Sequence, residues 1–153
     1  MNRWALLGIL SAVAIGALLP LQALINARLG AQTQGPLYAS FVSFLVGTCL
    51  LGAMLLATRT PLSPGQSIAA LPAWIWLGGA IGAVFVFAAT LLVSRLGAAS
   101  MICLVVLGQV VASLLLDHVG VLGTQRPADV ARVFGALLVI VGAALVVKPW
   151  QQS

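Results

Sequence analysis

Five long apolar runs make up most of the chain, and short polar segments separate them. The runs extend approximately over residues 4–26, 38–58, 72–94, 98–116 and 131–147. Each is close to the ~20 residues that an α-helix needs to cross the hydrocarbon core of a bilayer. The segments between them are rich in the glycine, proline and polar residues typical of turns. The pattern predicts an all-α integral membrane protein, with five transmembrane helices in a single domain over residues 1–153.

Composition narrows the class further. Of the 153 residues, 62% are hydrophobic and 6% are charged, and the mean hydropathy is +1.19. A soluble domain is about 45–50% apolar and about 25% charged. The composition therefore excludes a soluble enzyme, a nucleic-acid-binding module and a disordered chain. The net charge of +5 does not indicate a nucleic-acid partner, because the basic residues are spread among the ends of the apolar runs. At those positions we expect them to contact membrane lipids.

The basic residues also bear on orientation in the membrane, because Lys and Arg in short loops favour the cytoplasmic side. Five spans place the two termini on opposite sides. Four basic residues then lie on the N-terminal side (Arg3, Arg59, Arg126 and Arg132) and three on the other (Arg28, Arg95 and Lys148). So small a difference predicts dual topology, with two opposed copies pairing as an antiparallel homodimer that resembles the inverted repeats of transporters. The alternative is that one charge, or a lipid effect, fixes a single orientation.

Polar residues inside the first two runs are candidates for substrate binding, because hydrocarbon offers them no partner. Gln22 and Asn26 are four positions apart and share a helix face, and Pro20 is expected to kink the helix before them. Arg28 could attract an anionic group, and Ser43 adds a hydroxyl in the second run. The alternative is a Pro-kinked helix whose amides bond to neighbouring helices, with an arginine that reaches the interface.

A second polar group lies in the fourth run. Gln109, Ser113 and Asp117 follow one another at intervals of four and fall on roughly one helix face. Gln109 and Ser113 are further candidates for substrate binding, and Asp117 is a candidate for proton coupling. The alternative is that Asp117 and its neighbour His118 border the helix in headgroup water. Asp129 is expected to cap the fifth helix.

The sequence contains no motif for an enzyme or a metal site. There is no HExxH, no cluster of Cys and His, no Ser–His–Asp set and no glycine-rich phosphate loop. We therefore expect no catalytic residues, no metal and no cofactor.

Three blocks of residues resemble the YdcZ-type family, a five-helix branch of the drug/metabolite transporter (EamA-like) superfamily. The blocks are Pro20-x-Gln22-x-x-x-Asn26-x-x-Leu29-Gly30, then Leu107-Gly108-Gln109 with Asp117-His118-x-Gly120, and Arg132-x-x-Gly135. The resemblance implies a multi-pass protein of the bacterial inner membrane that occurs as dual-topology chains, opposed pairs or fused ten-helix proteins. It also implies that the first four helices of each half enclose a cavity, with the fifth outside.

Together these features predict a dual-topology transporter that moves a small polar metabolite by alternating access. Two other classes stay open. A holin-like pore would show a continuous polar stripe and leak without saturation. A membrane scaffold that does not transport would tolerate apolar replacement of Gln22, Asn26 and Gln109.

Overall fold

The computed structural model describes residues 3–60, 71–120 and 129–147, without the side chain of Trp4. Two residues of the predicted charge balance, Arg126 and Lys148, lie outside the described residues. Within those ranges the regular structure is helical, and five helices are long and apolar enough to cross a membrane. The helices are α1 (Arg3–Gln32), α2 (Pro36–Ala57), α3 (Leu77–Leu96, preceded by a 3₁₀ turn at Ala73–Trp76), α4 (Ala98–Val119) and α5 (Val130–Val147).

Helix α1 is longer than the first apolar run. It continues through Pro20 and ends at Gln32, six residues beyond the predicted end of the run at residue 26. Pro20 removes one backbone hydrogen bond without ending the helix, as happens in membrane helices with packed neighbours. The residues after Asn26 include Ala, Leu, Arg and Gln, which are good helix formers. Hydropathy therefore marks where the apolar segment ends, while the helix continues.

A tight turn of residues 33–35 joins α1 to α2. Gly35 has φ 104° and ψ −177°, a backbone conformation that is essentially confined to glycine. Gly30 lies directly against this turn, since a Cβ added there would be 3.1 Å from the backbone carbon of Gly35. The missing side chain lets the end of α1 approach the start of α2. The two helices consequently pack as an antiparallel hairpin.

The chain divides into two compact units, residues 1–95 and 96–153, which are described separately. In the first unit, small or polar residues occupy the buried positions of α1 and α2: Ala23, Asn26, Gly30, Ala39 and Ser40. Small residues are typical of packed membrane helices because they allow the backbones to approach closely. The prediction of one membrane domain over the whole chain is not tested by this division and stays a prediction.

The second unit contains α4 packed against α5. Its buried residues are Met101 on α4, and Ala136 and Ala143 on α5. The two alanines are seven positions apart, which places them on one face of α5. Helix α4 ends at Gly120, whose left-handed conformation (φ 72°, ψ 39°) and N–H bond to the Leu116 carbonyl form a typical helix C-cap. The helix thus extends to Val119, three residues past the end of the predicted run.

Candidate functional site

A pair of polar side chains joins α1 to α2. The Asn26 side-chain amide donates a hydrogen bond to the Ser43 hydroxyl at 3.3 Å. Asn26 is only 5% exposed, and Ser43 is half-buried. Ser43 is seven residues into α2, which places it about 10 Å from the turn at the 1.5 Å rise of an α-helix. The pair therefore lies between the two helices of the hairpin, away from its loop end.

The pair retains unused hydrogen-bonding capacity. An Asn side chain has two donor hydrogens and a carbonyl oxygen that can accept two bonds. The amide nitrogen of Asn26 bonds to Ser43, and no buried side-chain nitrogen or oxygen of the described residues lacks a partner, so the carbonyl end of the amide reaches the surface of the hairpin. A carbonyl oxygen at the surface of a membrane helix can still accept a hydrogen bond from a ligand or a neighbouring chain. The Asn26–Ser43 pair is therefore suited to bind a polar group.

Two other buried hydroxyls of the same unit, those of Ser40 and Thr90, bond within their own helices. The Ser40 hydroxyl donates to the Pro36 carbonyl at 2.8 Å, and the Thr90 hydroxyl donates to the Val86 carbonyl at 2.7 Å. Both bonds are within the residue's own helix, which is the usual arrangement for a hydroxyl on an apolar helix. Ser43 instead bonds across to a neighbouring helix, and this distinguishes it from Ser40 one turn earlier.

The other candidates on α1 do not join the pair within this chain. Pro20 is half-buried inside α1, whereas Gln22 and Arg28 are exposed. Arg28 is two residues after Asn26, which rotates it by about 200° around the helix axis. Arg28 therefore lies on the other side of α1 from the buried amide. Substrate binding by Gln22 and Arg28 stays a prediction.

The candidates on α4 belong to the second unit and are exposed. Gln109 and Ser113 lie on the surface of α4, and the Ser113 hydroxyl donates to the Val110 carbonyl of the same helix at 3.0 Å. Gln109 is close to the middle of α4, where an exposed amide would face hydrocarbon if nothing covered it. Their role in substrate binding also stays a prediction.

Asp117 forms an ion pair with Arg132 that is not among the predictions made from the sequence. Its carboxylate is 3.5 Å from the guanidinium of Arg132 on α5, and the side chains are 50% and 39% exposed. Asp129 caps α5 as predicted, since its carboxylate accepts the Arg132 backbone N–H at 2.8 Å. The sequence does contain a signal for this ion pair, because Asp117 directly follows the fourth run, Arg132 is the second residue of the fifth, and both are on the same predicted side of the membrane. Proton coupling by Asp117 stays a prediction.

The described residues define a class of protein: they form five apolar helices that are long enough to cross a membrane, with a polar contact between α1 and α2. A family model described as "Putative inner membrane exporter, YdcZ" matches residues 7–145. The "Inner membrane protein YdcZ" of Escherichia coli (strain K12) is 30% identical over 148 residues, which cover 97% of this chain and 98% of that relative. The chain therefore belongs to the YdcZ family.

Membership confirms the resemblance drawn from the three sequence blocks, and it confirms a multi-pass location in the inner membrane. The description of the family as an exporter supports a membrane transporter in the broad sense. No solved structure matches the chain.

Proposed function

We propose that the chain exports a small polar metabolite across the inner membrane by alternating access, as an antiparallel homodimer. The observation that carries the proposal is the Asn26–Ser43 hydrogen bond, a polar contact between two apolar helices whose amide oxygen reaches the hairpin surface and can accept a further bond. Polar groups inside a membrane protein are costly and typically mark a substrate pathway. The description of the family as an exporter supports the outward direction.

An exposed amide near the middle of α4 supports a second copy. Helix α4 covers residues 98–119, so Gln109 is within about 1 Å of its midpoint along the axis. A twofold axis in the membrane plane relates the two copies, so that each residue lies as far above the bilayer midplane in one copy as it lies below the midplane in the other. Only a residue near the midplane can therefore contact the same residue of the other copy. The second copy would give Gln109 a polar partner, with Ser113 one turn away.

Opposed copies would also duplicate the Asn26–Ser43 pair. Because the pair is about 10 Å from the α1–α2 turn, one copy would present it toward one membrane surface and its partner toward the other. Movement of the copies against each other would open the two pairs in turn, as inverted repeats do in transporters. In this arrangement Gln22 would contribute from the exposed surface of α1, one turn from Asn26.

The proposal is tested by solute retention in proteoliposomes. Purified protein is reconstituted and incubated with a defined mixture of amino acids, nucleosides, sugars and aromatic amides, and the retained solutes are measured by mass spectrometry. We expect saturable retention of at least one solute, reduced about tenfold or more by Asn26→Leu, because the substrate loses a hydrogen-bond partner in a desolvated site. The matched control is Gln32→Leu, which replaces an exposed amide at the end of the same helix.

The other two classes give different results in this assay. A pore would equilibrate every solute below a size limit without saturation. A scaffold would retain no solute above empty liposomes, and folded Asn26→Leu protein would behave like the wild type. Either result contradicts the proposal.

A further inference from the structure

A groove lined mainly by apolar side chains lies beside the Asn26–Ser43 pair. It has a volume of about 300 Å³ and lies between α2 and α3, within the first unit. That volume is at the lower end of the range for small-molecule sites, about 300–1,000 Å³. Four of the lining residues belong to α2 and two to α3: Leu37, Ser40, Phe41, Phe44, Ala83 and Phe87.

Three of the six residues that line the groove carry aromatic rings. Phe41 and Phe44 come from α2, and Phe87 faces them from α3. The Phe44 ring reaches the α3 backbone, because a Cβ added to Gly82 would be 3.6 Å from its Cζ atom. Flat apolar groups pack well against such rings in stacked or edge-to-face arrangements.

Ser40 connects the groove to the polar pair. It lines the groove, is 5% exposed, and precedes Ser43 by three residues on the same helix. Three residues of α-helix correspond to about 4.5 Å of rise and about 60° of rotation. The groove and the Asn26–Ser43 pair are therefore adjacent on the surface of α2, one apolar and one able to form hydrogen bonds.

Charge further restricts the ligand. None of the six groove residues is charged, and Asn26 and Ser43 are neutral. A ligand ion in this position would lose its hydration without gaining an opposite charge, which is strongly unfavourable. Arg28 is on the other side of α1 and supplies no such charge from within the chain.

We propose that the transported substrate is a small amphipathic molecule without net charge. Its flat apolar group lies in the groove against Phe87, and an attached amide or hydroxyl group bonds to Asn26 and Ser43. This inference rests on the proposed function, which it extends by naming the substrate class.

The test measures equilibrium binding to the intact protein in nanodiscs, with empty nanodiscs as the background for partition into lipid. Three probes are compared: benzamide, which has the ring and the amide; acetamide, which lacks the ring; and benzoate, which is an anion. We expect saturable binding of benzamide, at least about tenfold tighter than acetamide, because a ring buried among apolar side chains leaves water. Benzoate should bind more weakly than benzamide.

Variants locate the binding. Phe87→Ala should weaken benzamide binding about tenfold and leave acetamide binding unchanged. Phe85→Ala is the matched control, because it removes a ring from the same helix outside the groove. Ala83→Leu should fill the groove and give the same loss of benzamide binding as Phe87→Ala. Because one variant adds volume and the other removes it, the same loss in both is not explained by a cavity or by a folding defect of one variant.

Several results would overturn the inference. If benzamide and acetamide bind equally, or if Phe87→Ala and Ala83→Leu leave benzamide binding unchanged, the groove is an ordinary lipid-facing surface. If benzoate binds most tightly, the substrate class is anionic, and Arg28 would be the residue to examine. These failures are distinct from failure of the proposed function, because the retention assay with Asn26→Leu does not depend on the groove variants.

Discussion

Asn26 and Ser43 are 17 positions apart in the sequence and meet through the turn between α1 and α2. The sequence indicates both as costly polar residues within apolar runs. It does not indicate that they bond to each other, because that depends on the register of the two helices. The register is set by the turn at Gly35 and by the close approach at Gly30. Gln22 shares a predicted face with Asn26 but is exposed, so sharing a face does not ensure equal burial.

Gly30 gives a prediction about stability at the scale of one residue. In Gly30→Ala the new Cβ would lie 3.1 Å from the backbone carbon of Gly35 and 3.2 Å from the backbone nitrogen of Pro36. Backbone atoms cannot rotate away as a side chain can, so the turn must shift. We expect the free energy of unfolding to fall by about 1–3 kcal/mol, the usual effect of overpacking. Thermal unfolding in detergent would show this as a lower midpoint.

The control for that experiment is Gly8→Ala in the same helix. A Cβ at Gly8 has no atom within 4 Å, and alanine favours a helix over glycine by about 1 kcal/mol. This variant should unfold at the wild-type temperature or above it. Equal unfolding temperatures for the Gly30 and Gly8 variants would show that the α1–α2 turn accommodates a methyl group.

At the scale of elements, hydropathy predicted the five helices better than their ends. Helices α1 and α4 both continue beyond the apolar runs that predicted them. A helix continues while its residues favour helical backbone and its last carbonyls find partners, whether or not the residues are apolar. The end of α4 is a local cap at Gly120, which depends on backbone conformation and not on polarity. The start of α5 was predicted correctly because the Asp129 carboxylate can accept a hydrogen bond from the first turn of a helix.

Substitutions of Asp129 and Arg132 compare how much the helix cap and the neighbouring Asp117–Arg132 ion pair each stabilise the start of α5. Replacing Asp129 with Ala removes the carboxylate that accepts the Arg132 N–H, and we expect a loss of about 0.5–2 kcal/mol, as for other N-caps. Asp129→Ser should retain most of that stability, because serine also caps. Arg132→Gln removes a partly exposed ion pair that is worth about 0–1 kcal/mol.

Hydrogen exchange of the first-turn amides of α5 measures both effects. Protection should fall most in Asp129→Ala, and little in Asp129→Ser or Arg132→Gln. If Arg132→Gln causes the larger loss, the connection to Asp117 contributes more than the cap to holding the start of α5.

At the scale of the whole molecule, composition and run length were sufficient to predict a five-helix membrane protein, because burial in hydrocarbon constrains every residue of a span. They could not predict the groove, since Phe41, Phe44 and Phe87 look like ordinary apolar residues until α2 and α3 are placed side by side. Gln22 and Gln109 are exposed in the single chain, and a contact of either residue with substrate or with a second copy stays a prediction.

Dual topology leads to a prediction about the whole assembly. The sequence places four basic residues on one side and three on the other. Three lysines added after Met1 would increase the larger group to about seven, a bias that ordinarily fixes orientation with the basic side in the cytoplasm. Every copy would then face the same way, and antiparallel pairs could not form. We expect transport to be lost although the protein is inserted and folded.

The complementary copy carries three lysines after Ser153, on the opposite side, and should take the reverse orientation. Neither biased copy should transport alone, but the two expressed together should restore transport because opposed pairs can form again. Orientation is measured by thiol labelling of a cysteine placed beside the N-terminus, after Cys49 and Cys103 have been replaced. In the wild type this cysteine should be labelled from both sides of the membrane. If one biased copy transports at the wild-type rate while all its N-termini face one way, parallel or single chains are sufficient, and the exposed amides must find their partners elsewhere.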